Sequence, residues 1–69
     1  MTGPSDFTDE ELRWIEAAKK VGVSIPASIE NDLIQKGVID RADLGPKITG
    51  LGKVVVDEAK KISRLPKEN

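Results

Sequence analysis

Leu33-Ile34-Gln35-Lys36-Gly37-Val38-Ile39 and, beyond residues 40–46, Lys47-Ile48-Thr49-Gly50-Leu51-Gly52-Lys53-Val54-Val55 decide how this chain folds. Leu33 and Ile34 close an amphipathic run. Gly37 is its natural stop, because glycine readily takes the left-handed conformation that turns a chain out of a helix. Val38-Ile39 is a short β-type pair, and Asp40-Arg41-Ala42-Asp43-Leu44-Gly45-Pro46 is turn-rich. Lys47-Ile48-Thr49 returns as a second short strand, so the segment predicts a hairpin with an extended tip. Thr49 then caps a new helix by accepting from the amide of Leu51 or Gly52, and Gly52 lets the helix start come close to its neighbours.

Outward from this centre the chain predicts two helices before the hairpin and one after it. Thr8 and Glu11 form a capping box, with Phe7 and Leu12 placed as a hydrophobic staple. Asp9, Glu10 and Glu11 suit the positive end of the dipole. Gly22 ends this first helix, which is expected over 8–21 with Leu12, Trp14, Ile15, Ala18 and Val21 inward. Pro26 suits a first helical position. A second helix is expected over 26–36, with Ile29, Leu33 and Ile34 inward and Ser28, Glu30, Asn31, Asp32, Gln35 and Lys36 outward. The last helix is expected over 50–65. Leu51, Val55, Ala59 and Ile62 recur at the helical period, flanked by Val54 and Leu65. Residues 1–6 and 66–69 read as disordered tails around a single domain at 7–65.

Composition narrows the function classes. The chain has 69 residues with no Cys, His or Tyr. Disulfides, thiolate metal sites and the commonest general base are therefore excluded. Phe7 and Trp14 are the only aromatics, too few for a base-stacking platform. No pair of Asp, Glu or Lys residues has a spacing that forces a catalytic site, and Gly50-Leu51-Gly52 lacks the rest of a phosphate-loop motif. The expectation is a non-enzymatic protein with no cofactor and no metal. The net charge of −1 argues against strong non-specific attraction to nucleic acid or anionic lipid. It is spread unevenly, −2 over 1–25, −2 over 26–45 and +3 over 46–69. With no basic leader and no apolar run beyond Val54-Val55-Val56, a soluble, cytoplasmic protein without a membrane partner is expected.

Helix, tight break, helix, hairpin, helix resembles a compact winged helix-turn-helix unit over about residues 8–62. Leu33 to Ile39 looks like the end of a recognition helix entering the first wing strand, and Ile48 to Val55 like the second wing strand entering the following helix. Ala18 and Gly22, followed by Val23, are similar to the small residue and turn glycine of a helix-turn-helix. The resemblance implies an α+β, mostly helical, winged-helix-like domain and a small DNA-binding regulator of transcription. Residues 27–36 would enter the major groove of double-stranded DNA. Ser28, Asn31 and Gln35 share one helix face and suit base edges. Lys36, Arg41 and Lys47 would hold phosphates. One copy would bind weakly, so a homodimer or a protein partner is expected.

The alternative expectation is a protein-interaction module on the same scaffold that does not bind DNA. Glu30, Asp32, Asp40 and Asp43 stand where phosphate would lie, and they favour it. A continuous positive stripe over 27–47 would point to DNA, and an acidic or apolar face to a protein. The row Lys53, Lys60 and Arg64, interrupted by Asp57, suits an acidic partner surface, a DNA backbone or the negative end of its own helix dipole.

Overall fold

A computed structural model describes residues 3–66. The expected tail residues Met1, Thr2 and 67–69 lie outside the described residues. The elements are α1 (Asp9–Ala17), α2 (Ala27–Gln35), β1 (Ile39–Ala42), β2 (Gly45–Ile48) and α3 (Gly50–Lys61), with a 3₁₀ turn at Pro4–Asp6 before them. This is an α+β fold whose helix-strand-strand-helix order is consistent with a winged-helix-like layout. Among the described residues no helix is long and apolar enough to cross a membrane.

α1 starts as its capping box dictates. The Thr8 amide donates to Glu11 Oε1 at 2.9 Å, and the Glu11 amide donates to Thr8 Oγ1 at 3.1 Å. The helix ends at Ala17, four residues earlier than the periodicity predicts. The amides of Ala18, Lys19 and Lys20 tighten onto carbonyls three residues back. The Ala18 carbonyl, which a longer helix would use, accepts instead from the Ile48 amide of β2 at 3.3 Å. Leu12, Ile15 and Ala18 are buried as expected, but Val21 is turned out and is 79% exposed. α2 begins one residue after the expected start, with Pro26 as its N-cap. Its end is a Schellman turn: Gly37 has φ +79°, its amide bonds Ile34 O, and the Val38 amide bonds Leu33 O.

The hairpin is tighter than an extended tip. β1 and β2 pair antiparallel from Ile39 opposite Ile48 to Ala42 opposite Gly45, so only Asp43 and Leu44 form the turn. Gly45, at φ +114°, supplies the twist that joins the strands. Pro46 is tolerated because amides alternate in direction along a strand. The Ile48 amide points away from β1 toward Ala18, so the proline nitrogen two residues earlier faces the same way.

α3 carries the main correction to the expected core. Its buried residues are Gly52, Val55, Val56 and Ala59. Leu51 and Ile62, expected inward, are exposed, as is Val54. The face is rotated because Gly52 lies directly against the Val38 carbonyl, where a side chain would overlap that oxygen and come within 2.7 Å of Ile48 Cγ1. Thr49 fixes the joint, accepting from the Gly52 amide at 3.1 Å and donating to the Gly37 carbonyl at 2.6 Å.

α3 ends at Lys61 rather than 65, in a second Schellman turn with Ser63 at φ +63°. The Arg64 amide returns to Ala59 O and Leu65 folds back into the core. The Arg64 guanidinium spans to the chain start, bonding Pro4 O, Phe7 O and Asp9 Oδ1. The Gly3 amide also bonds Asp6 Oδ2 at 2.9 Å, so residues 3–6, read as tail from the sequence, are held in place. Leu12, Ile15, Leu33, Val38, Ile39, Val55 and Val56 are essentially fully buried, with Trp14 half-buried against them. Each full burial contributes about 1.5–3 kcal/mol.

The Gly52 contact makes a sharp prediction. Gly52→Ala should destabilise the protein by at least about 2–3 kcal/mol, because backbone must move to admit the methyl group. Gly50→Ala meets nothing within 4 Å and should be neutral or stabilising by up to about 1 kcal/mol. Urea unfolding of both variants measures the contrast, and equal midpoints would contradict the close approach.

Candidate functional site

The six residues expected to face DNA are all on the surface, but they do not form one open set. Ser28, Asn31 and Gln35 lie exposed on α2, which Leu33 anchors to the core. Asn31 and Gln35 also line a shallow hollow of about 390 Å³ with Ile34, Asp40 and Arg41. Arg41 reaches from β1 onto α2. Its Nη2 donates to Asn31 Oδ1 at 3.0 Å, and its Nε lies 3.3 Å from Glu30 Oε1. A residue expected to read bases and one expected to hold phosphate are therefore hydrogen-bonded to each other.

Lys36 is drawn toward the start of the chain. Its Nζ lies 3.4 Å from Glu11 Oε2, donates to Asp6 O, and sits 4.9 Å from the centre of the Phe7 ring. It joins α2 to the cap of α1 through an ion pair and a cation–π contact. Lys47 stands opposite Asp40 in the hairpin register, with its side chain exposed. Of the expected phosphate contacts, two already face carboxylates of this chain.

A second feature lies across the hairpin. An open groove of about 1000 Å³ runs between the turn after α1, the hairpin and the first turns of α3. Ala18, Val21, Leu44, Pro46 and Ile48 provide its apolar lining. Lys19, Lys20, Lys47 and Lys53 surround it, with Asp43 and Asp57. Of these, the sequence marks Lys47 as a phosphate contact and Lys53 as part of a basic row on the last helix, and nothing in it joins either to Lys19 and Lys20. The adjacent Lys19-Lys20 pair was the available signal, but it reads equally well as a complement to the α1 dipole. The outward position of Val21 follows from an early helix end that local sequence does not encode.

The row Lys53, Lys60 and Arg64 is not one surface in function. Lys60 Nζ lies 3.2 Å from Glu16 Oε2, joining α3 to α1. That oxygen is buried without an aligned hydrogen bond, so the nearby ammonium compensates its charge. Arg64 serves the chain start, as described above.

Glu11 is the titratable group whose environment acts most clearly. The backbone hydrogen bond from Thr8 holds its carboxyl below the ordinary 4.5, with Lys36 adding to the effect and partial burial opposing it. Folding therefore favours the ionised form. The resulting stabilisation is complete above the ordinary carboxylate range and is lost as pH falls through the lowered folded value. Urea midpoints taken from pH 7 down to pH 3 should fall less steeply in Glu11→Gln than in the parent, while Thr8→Ala should lose about 1 kcal/mol at pH 7. Parallel pH profiles for Glu11→Gln and the parent would remove Glu11 from the account. No family model, curated protein or solved structure matches the chain.

Proposed function

We infer that the chain is a small protein-interaction module on a winged-helix-like scaffold. The observation that carries this is the pairing of the cations on the α2 and hairpin surface. Lys36 faces Glu11, and Arg41 faces Glu30 and Asn31. Duplex binding draws on cations that displace counterions from phosphate. Exposed ion pairs are individually weak, about 0–1 kcal/mol, so the net field matters more than the strength of either pair. Over 27–47, Glu30, Asp32, Asp40 and Asp43 outnumber Lys36, Arg41 and Lys47. That balance offers no positive stripe for a phosphate backbone. The layout itself decides nothing here, since one fold hosts many functions.

The exposure of Ser28, Asn31 and Gln35 on α2 favours a second reading, a small DNA-binding regulator of the winged helix-turn-helix type. These side chains would contact base edges while Lys36, Arg41 and Lys47 held phosphates. Arg41 would first have to leave Glu30 and Asn31.

Titration of the isotope-labelled protein with a mixed-sequence DNA duplex at low salt separates the two. The interaction-module role expects the amides of residues 27–48 to stay unshifted up to millimolar duplex. Shifts confined to 27–48 that fade with added salt, with Kd of about 10⁻⁴–10⁻⁶ M, would overturn it. In that event Glu30→Gln should tighten binding, by removing the carboxylate that competes for Arg41.

A further inference from the structure

We propose that the groove between the α1–α2 turn, the hairpin and the start of α3 docks an acidic peptide segment of a partner protein, one that sets apolar side chains among carboxylates. This rests on the interaction-module role and names the site and the chemistry of its partner.

The first support is where unpaired positive charge collects. Among the described residues, Lys36, Arg41, Lys60, Lys61 and Arg64 each face a carboxylate of the chain. Arg13, Lys19, Lys20, Lys47 and Lys53 form no such ion pair, although Asp40 stands across the hairpin from Lys47, and the four lysines of that set all line this groove. They come from three separate elements, so the fold rather than the local sequence gathers them. Asp43 and Asp57 temper the charge without cancelling it, leaving a local excess of two positive charges.

The second support is the apolar lining. Val21 and Leu44 are 79% and 73% exposed, the two most exposed large apolar side chains described, and they belong to the same groove. Half-buried Pro46 adds to this apolar lining, with the buried Ile48 behind it. A phosphate backbone gives such side chains nothing to bury against. A peptide that places a Leu, Ile or Phe in the groove and carboxylates toward the lysines satisfies both features.

Strand addition is not the mode. The Ile48 amide on the outer edge of β2 is already bonded to Ala18, and Pro46 has no amide hydrogen. Recognition therefore runs through side chains, and it should weaken as salt screens the lysines.

The experiment selects ligands for the full chain from a phage-displayed library of random dodecapeptides, then synthesises the enriched sequences. The proposal expects enriched peptides to be rich in Asp and Glu interspersed with large apolar residues. They should shift the amides of residues 18–22, 42–48 and 53–57. The double variant Lys47→Glu/Lys53→Glu should bind them at least about tenfold more weakly, and Leu44→Ala should weaken them independently of salt. Amide spectra of the free variants confirm that the fold is kept.

Enriched peptides that lack carboxylates, or that shift amides elsewhere, would overturn the groove assignment and leave the interaction-module role standing. No enrichment would also overturn it. Shifts at the groove that grow with protein concentration alone would assign it to a second copy of this chain instead. Salt-sensitive shifts at 27–48 with duplex would defeat the interaction-module role itself, a separate result from any failure at the groove.

Discussion

The structure depends on one close approach, the first turn of α3 laid against the Val38 carbonyl at the entrance to the hairpin. Only a glycine at position 52 leaves room for it. Thr49 locks it from both sides, capping the Gly52 amide and donating to Gly37 O, while its own amide bonds Val38 O. The end of α2, the start of β1, the end of β2 and the start of α3 thus meet within a few residues. Once Gly52 faces the hairpin, the helical period brings Val55, Val56 and Ala59 to the same side and turns Val54 and Ile62 out. The rotation of α3, and with it the surface it shows to solvent, follows from that single contact.

This explains which parts of the fold were legible in the sequence. Interactions within a few residues of each other could be read directly. The Thr8–Glu11 box, the left-handed Gly37 and the Thr49 cap all occur where the residue types place them. The α+β class and the element order followed from these and from the apolar periods. What could not be read was decided by contacts distant in sequence. Leu51, Val55, Ala59 and Ile62 make as regular a stripe as the observed face, and only the Val38 carbonyl chooses between them. Likewise α1 stops at Ala17 because β2 claims the Ala18 carbonyl, a bond across thirty residues. The hairpin tip departs from its sequence expectation for a different reason: Gly45 absorbs the twist and Pro46 points its nitrogen away from the partner strand, so a sequence rich in breakers still pairs.

The candidate site shows the same division. Helix spacing correctly puts Ser28, Asn31 and Gln35 on the outer face of α2. Spacing carries no information about which acids the cations will meet. Lys36 crosses to Glu11, Arg41 to Glu30, Lys60 to Glu16 and Arg64 to Asp9, each through tertiary structure. These pairs tie elements together at the edges of a small core, where apolar burial alone is limited. Using cations in this way changes the electrostatic surface. Charge counted along the sequence places the positive part at the C-terminal helix. Charge counted after pairing places it around the groove beside the hairpin.

The groove and the core share an origin. The Ile48–Ala18 hydrogen bond that ends α1 early also turns Val21 out of the core and brings the hairpin alongside Lys19 and Lys20. The two-residue turn that keeps the strands paired pushes Leu44 into solvent on the same side. Gly52, by setting the rotation of α3, sends Lys53 toward that side. No element would have to move to open the groove, because the contacts that shape it are the ones that close the core. Lys47 on β2 and Lys53 on α3 are therefore held on paired or packed backbone, while Val21 and Leu44 stand in the turns on either side, so a ligand would meet walls arranged before binding and would have only these outer side chains to order.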